Sequence, residues 1–211
     1  VAPRTDAELM RLVQAGERAP FEELVHRYRN PLLRFVRSKI GDAARAEDVV
    51  QEAFLAVYAA RDSYNPQFAF RTWLWTIVLN LCRRHWRNRQ RELDGLADLH
   101  APARSVYGLS ANATEPSGLD HLLQDEQRQR LRELLSELPE TEADALRLRF
   151  FAELPFEAIA ETMDSSVSGA KQRVRRGLER LAVRLRQIDR RESMPSPTLP
   201  GHSGDDHDDV R

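Results

Sequence analysis

Cysteine is nearly absent from this chain of 211 residues: Cys82 stands alone, which excludes an internal disulfide and a cysteine-rich zinc site. Lysine is almost as scarce. Of 32 basic residues only Lys39 and Lys171 are lysines, so nearly every cation is an arginine. No apolar run approaches the roughly 20 residues of a membrane span, and no membrane insertion is expected. No basic stretch followed by an apolar one opens the chain, and with a single thiol this gives the expectation of a cytoplasmic protein.

Catalytic apparatus is missing as well. The six histidines are scattered, and no Gly-rich phosphate loop, Ser/His/Asp order or metal-ligand spacing is present. The expectation is a non-enzyme with no catalytic residue, no metal, no cofactor and no small-molecule substrate. His26 and His85 lie beside arginines in helical patterns, where surface or partner contacts suit them better than general-base work.

A net charge is the third absence. The 32 cations face 33 acids, for a formal charge of -1, which taken whole argues against a binder of phosphate backbones. Position along the chain points the other way. Residues 83–91 hold Arg83, Arg84, Arg87, Arg89 and Arg91 with no acid, and residues 171–186 hold Lys171 and six arginines against Glu179 alone. Residues 92–127 hold seven acids and one base, Arg104, and the end from 192 holds five acids and Arg211. Two compact basic segments are thus cancelled in the sum largely by acidic connectors.

What is present is helical periodicity almost throughout, with no convincing strand alternation, so the chain reads as all-α. Thr5 or Asp6 can cap a first helix ending near Gly16. Pro20 opens a second segment that Pro31 kinks or divides and Gly41 stops. A third helix is expected from about Ala44 to Ala60, and a fourth from about Phe70 to Arg91 after the Asn65-Pro66 loop. Residues 93–118 lack periodicity and are too long for a connection inside one compact domain, so they read as a flexible linker. Helices then follow from Leu119 to Pro139, Thr141 to Phe151, Phe156 to Met163 and Ser166 to about Ile188. The expected domains are 5–92 and 119–190, with a disordered tail at 191–211.

Three constellations carry chemistry. In the stretch from Phe156 to Leu181, a short helix with small Ala160 on its buried face, a tight turn at Asp164-Ser165 and a second helix capped by Ser166 suit a helix-turn-helix. Ala170, Val174, Leu178, Leu181 and Leu185 would bury that second helix, while Lys171, Gln172, Arg173, Arg175, Arg176 and Arg180 stay exposed to reach bases and phosphates. The alternative is an amphipathic surface helix with solvated arginines. Second, Phe70-Arg71-Thr72-Trp73-Leu74-Trp75, followed by Asn80 and the arginines, interleaves aromatics and cations beside the Ser63–Ala69 loop. That pattern suits single-stranded nucleic acid, although Trp73 and Trp75 taken alone suit a core. Third, Asp48, Gln51 and Glu52 fall together on one helix surface, either as a solvated face or as a dock for a basic protein.

In this order and at this separation, the motifs resemble the sigma-70 family of RNA polymerase initiation factors, specifically the extracytoplasmic-function (ECF) group that keeps regions two and four. The resemblance covers about residues 5–92 and 120–188. It implies a region 2 helical bundle and a region 4 helix-turn-helix in a promoter-specificity subunit that binds core polymerase through its clamp helices and flap. The Asp48-Val49-Val50-Gln51-Glu52 stretch resembles the family's clamp-docking motif, implying polymerase-docking roles for Asp48, Gln51 and Glu52. By the same resemblance, capture and melting of the minus-ten element fall to Ser63, Asn65, Phe70, Arg71, Thr72, Trp73, Asn80, Arg83 and Arg84. Recognition of the duplex minus-thirty-five element falls to Ser166, Ser168, Lys171, Gln172, Arg173, Arg175 and Arg176. An anti-sigma protein is a further implied partner. A dimeric helix-turn-helix regulator acting without polymerase, and a pure interaction protein such as an adaptor or sigma antagonist, are the rival readings.

Overall fold

A computed structural model describes residues 3–97 and 118–192, which form eight α-helices and one short 3-10 turn, with no strand among the described residues. The expected linker residues from 98 to 117 and the expected tail from 193 onward lie outside the described residues.

Local chemistry sets the helix starts. Helix α1 (Asp6–Gln14) begins with a capping box: Thr5 Oγ1 accepts from the Glu8 N–H at 3.3 Å, and Glu8 Oε2 accepts from the Thr5 N–H at 2.7 Å. Thr5, rather than Asp6, is therefore the cap. Helix α2 (Ala19–Ile40) carries Pro20 in its first turn and ends at Gly41, whose φ of 79° is the left-handed geometry that glycine adopts without strain. Helix α3 (Ala43–Ala59) is capped by Asp42, whose carboxylate accepts from the Arg45 N–H at 3.1 Å. A 3-10 turn (Arg61–Ser63) leads into helix α4 (Phe70–Ala97).

Two expectations need correction here. Pro31 does not divide α2, which runs through it: Leu24 before and Leu32, Phe35 and Val36 after it are all buried on the same core, so packing offsets the hydrogen bond Pro31 cannot donate. Helix α4 continues past Arg91 to Ala97, into what the sequence suggested was linker.

The first four helices enclose Leu9, Met10, Val13, Leu24, Phe35, Val49, Ala53, Leu74, Trp75 and Leu79, all fully buried. Trp75 is the largest of them and meets Phe35 with ring centroids 4.9 Å apart. Cys82 is buried in this core, and burial pushes its thiol up to about 12, which leaves it unreactive at neutral pH.

The second group comprises α5 (Gly118–Ser136), α6 (Glu140–Phe150), α7 (Phe156–Thr162) and α8 (Val167–Glu192). Leu146, Leu148, Leu154, Ile159, Ala170 and Val174 form its core. At Gly177 an added Cβ would lie 2.7 Å from Leu146 Cδ1, so α6 and α8 approach closely at a residue with no side chain. The two groups pack on each other, α4 against α7 and α2 against α5 and α6, and share one contiguous core.

Candidate polymerase and nucleic-acid surfaces

On α3 the register 48, 51, 52, 55 points outward while Ala46, Val49, Val50 and Ala53 point in. Asp48 and Gln51 are exposed, and Leu55, one turn further on, is 70% exposed, so the face carries an apolar anchor that the sequence reading did not single out. Glu52 is less free. Its carboxylate takes a 2.7 Å contact from His85 Nε2 and an ion pair from Arg84, both on α4. The His85 hydrogen bond, reinforced by the Arg84 charge, holds the Glu52 carboxyl below the usual carboxylate range. Beside this face, Val25, Arg29, Leu33, Glu47, Val50, Gln51 and Phe54 line a shallow cleft of about 110 Å³ between α2 and α3.

The loop before α4 is held from within. Gln14 Nε2 donates to the carbonyls of Arg61 and Tyr64 at 2.9 and 2.8 Å, and the buried Tyr64 hydroxyl donates to the Phe68 carbonyl at 2.8 Å. Ser63 and Asn65 stand exposed on it, with Asn65 Oδ1 accepting from the Gln67 N–H at 3.0 Å. Phe68 is 59% exposed on this loop, an apolar ring open to solvent. The sequence reading placed it in the loop without giving it a role, although an aromatic between Gln67 and Ala69, off any helical stripe, was the available signal.

Helix α4 distributes the other minus-ten candidates over several environments. Phe70 and Thr72 are buried, so they support the surface instead of forming it. Trp73 is half-buried against Tyr64 and Phe70, with ring centroids 5.2 and 6.0 Å apart. Asn80 and Arg84 are exposed and lie two and three turns along from Trp73, on the same face. Arg87, exposed about one turn beyond Arg84, extends the surface toward the helix end, whereas Trp86, 43% exposed, lies on the far side of the helix from Trp73. Arg71 and Arg83 point elsewhere. Arg71 donates from Nη2 to the Ala152 carbonyl, and Arg83 Nε lies 3.6 Å from Asp144 Oδ2, both in the second group of helices.

The second candidate surface is simpler. Ser165 N–H donates to the Ala160 carbonyl at 2.8 Å, Asp164 takes a positive φ of 49°, and Ser166 Oγ accepts from the Gly169 N–H at 3.0 Å to start α8. Ala170, Val174 and Gly177 are buried with half-buried Leu181 behind them, at alternating separations of four and three. Leu178 and Leu185, expected in that stripe, are instead 44% and 42% exposed, because their register sets them toward the edge of the stripe that Ala170, Val174, Gly177 and Leu181 define. On the opposite face Ser166, Ser168, Lys171, Gln172, Arg175 and Arg176 are all exposed. Lys171 Nζ sits 5.7 Å from the Phe156 ring, and Arg175 pairs with Glu179 at 2.7 Å. Arg173 is half-buried at the flank of the face.

Behind this face, Leu134, Leu138, Leu181 and Val183 line a groove of about 440 Å³ between α5 and α8, bridged by Arg184 and Glu137 at 2.5 Å. Among the described residues no helix is long and apolar enough to cross a membrane.

Comparison with known proteins agrees with this geometry. Residues 24–92 match the family model for sigma-70 region 2, and residues 128–181 match that for sigma-70 region 4. The chain is 31% identical over 183 residues to the RNA polymerase sigma-H factor of Pseudomonas aeruginosa, covering 87% of this chain and 95% of that protein. It is 31% identical over 189 residues to the ECF RNA polymerase sigma-E factor of Escherichia coli K12, covering 89% and 97%. Among solved structures, CnrH in complex with the cytosolic domain of CnrY shares the fold with a TM-score of 0.65 at 21% identity, over 86% of this chain and 97% of that one. The sigma factor RpoE of Bartonella quintana, in complex with the anti-sigma factor NepR, does so with a TM-score of 0.57 at 23% identity, over 78% and 98%. A basic helix-turn-helix behind an aromatic, arginine-bearing bundle is thus the architecture of a promoter-specificity subunit. The chain belongs to the sigma-70 family of RNA polymerase sigma factors, in its ECF group. Membership decides against the reading as a dimeric regulator acting without polymerase.

Proposed function

We propose that this sigma factor divides its work among three surfaces. Asp48, Gln51 and Glu52, with Leu55, dock on the clamp helices of core polymerase, and the groove between α5 and α8 receives the flap. Ser63, Asn65, Trp73, Asn80 and Arg84, supported from beneath by Phe70 and Thr72, capture the opened minus-ten strand, joined by Arg71 and Arg83 once these are free. Unstacking a base step costs about a few kcal/mol, so an exposed aromatic edge beside cations is what a strand trap requires. Ser166, Ser168, Lys171, Gln172, Arg175 and Arg176 meet the minus-thirty-five duplex, with Arg173 on its backbone.

On this reading the two working domains lie on either side of residues 98–117, which thread the polymerase between them. The protein works in the cytoplasm beside polymerase and performs no chemistry of its own. Bartonella RpoE is bound by an anti-sigma factor, and we extend that class of partner to this chain.

The observation that carries the proposal is the face of α8: six exposed polar or cationic residues opposite a buried stripe, directly after a seven-residue helix and a tight turn. Exchanging Arg175 and Arg176 for Ala is expected to weaken minus-thirty-five recognition by about 1–3 kcal/mol per lost contact while core polymerase still co-purifies. Exchanging Gln51 and Glu52 for Ala is expected to do the reverse. Unchanged promoter selection by the first variant, or wild-type co-purification of the second, overturns the corresponding assignment.

A further inference from the structure

The cations of α8 fall into two sets. Toward the body of the second group, Arg180 Nε lies 3.0 Å from Glu142 Oε2 and Arg184 Nε 2.5 Å from Glu137 Oε2, so both are answered by carboxylates from neighbouring chain segments. On the outward side Lys171, Arg175, Arg176, Arg186 and Arg190 are all exposed, and at about 100° per residue they share one half of the helix. Glu179 stands among them and pairs with Arg175 at 2.7 Å, with both side chains mostly in solvent. Among the described residues Lys171 and Arg176 have no carboxylate partner, and the outward face carries cations in excess along its length.

We propose that Asp205, Asp206, Asp208 and Asp209 dock along this outward face, on Lys171, Arg175 and Arg176, and compete there with DNA phosphates. The four aspartates lie within five residues, and the run from Ser193 to Asp209 holds no lysine or arginine. Length permits the contact. Asp205 is the thirteenth residue after Glu192, where α8 ends, and that stretch can span up to about 45 Å. Arg176 lies sixteen residues back from the same end, about 24 Å along the helix axis. Attachment to α8 itself makes the encounter intramolecular and raises the local concentration of the acids at that face. The chemistry is shared, because a guanidinium fork pairs with a carboxylate as it does with a phosphate. The other basic segment is a poorer seat: Arg84 already pairs with Glu52, and Arg83 lies 3.6 Å from Asp144. Exposed ion pairs are individually weak and screened by salt, so the aspartates give way to a duplex, whose phosphates present about one charge per 1.7 Å.

The consequence for DNA rests on the minus-thirty-five reading of α8, whereas the docking does not, and the test separates the two. A nitroxide label is placed on Val210→Cys in the full chain, where Cys82 is buried and stays unlabelled. Expected is broadening of the amide signals of residues 171–176, lost when all four aspartates are changed to Asn. The unlabelled four-Asn variant and the wild-type chain are then titrated with a dye-labelled pool of random duplex DNA. The variant is expected to bind tighter by roughly fivefold or more at low salt, with the two affinities converging as salt rises. No broadening, or broadening at residues 83–91 alone, overturns the docking, and broadening with equal affinities overturns the competition. Arg175→Ala with Arg176→Ala is scored alongside on the same pool. Full duplex affinity in that variant defeats the minus-thirty-five reading whatever the label shows, and weakened affinity without broadening in the wild-type background defeats the docking alone.

Discussion

The two proposed DNA surfaces are built in opposite ways. On α8 a single helical period sorts the residues, with Ala170, Val174 and Gly177 inward and Lys171, Gln172, Arg175 and Arg176 outward, so one element carries nearly the whole face. On α4 the candidates are split among a buried layer at Phe70 and Thr72, an open face at Trp73, Asn80 and Arg84, and a seam against the second module at Arg71 and Arg83. A helix that reads an intact duplex needs only a convex face fitting a groove. A trap for single strands needs a loop, an aromatic edge and cations from several directions, which ties it to the core beneath and to whatever packs alongside.

That contrast is open to attack, beginning with the core under the strand trap. Trp75→Ala removes the largest fully buried side chain and is expected to cost about 3–5 kcal/mol in urea unfolding, with the minus-ten surface lost alongside. The duplex-reading surface depends instead on one crossing. Gly177→Val forces α8 away from Leu146 and is expected to cost about 1–3 kcal/mol of stability, with weaker binding to minus-thirty-five duplex. Phe68→Ala removes a ring that is mostly exposed, so it should lower single-strand capture by about 1–3 kcal/mol, read by titration with a labelled opened-promoter strand, and leave duplex binding unchanged. An equal loss on duplex would erase the contrast.

The smallest effect concerns Glu52. Its carboxyl is held below the usual range, so the folded state binds its proton less readily than the unfolded chain. The contribution is complete above the ordinary glutamate value of about 4.3 and is lost as pH falls through the lowered one. The difference in thermal midpoint between wild type and Glu52→Gln should therefore be constant near neutrality and shrink in acid. A difference that grows in acid contradicts the pairing with His85 and Arg84.

Most of the helix order was legible because caps and stops are local: Thr5, Gly41 and Ser166 act within four residues of where they sit. The α8 face was legible for the same reason, since period and exposure coincide there. What escaped depends on distant partners. Pro31 reads as a kink or a break until the core on both sides is known. Nothing near Lys39 in sequence announces its ion pair with Asp144, and Arg71 and Arg83 look like free DNA cations until α6 and the loop after it fold against them. Charge averaged over the chain was uninformative because acidic connectors largely cancel the two basic segments, and only position along the chain separated them.

The central claim, that these surfaces act together on polymerase and promoter, is met most directly by run-off transcription with core polymerase on genomic promoter fragments, with and without the protein. Transcripts that start at defined sites only when the protein is added are the expected result. Specific duplex binding by the free protein together with no added transcription would contradict it.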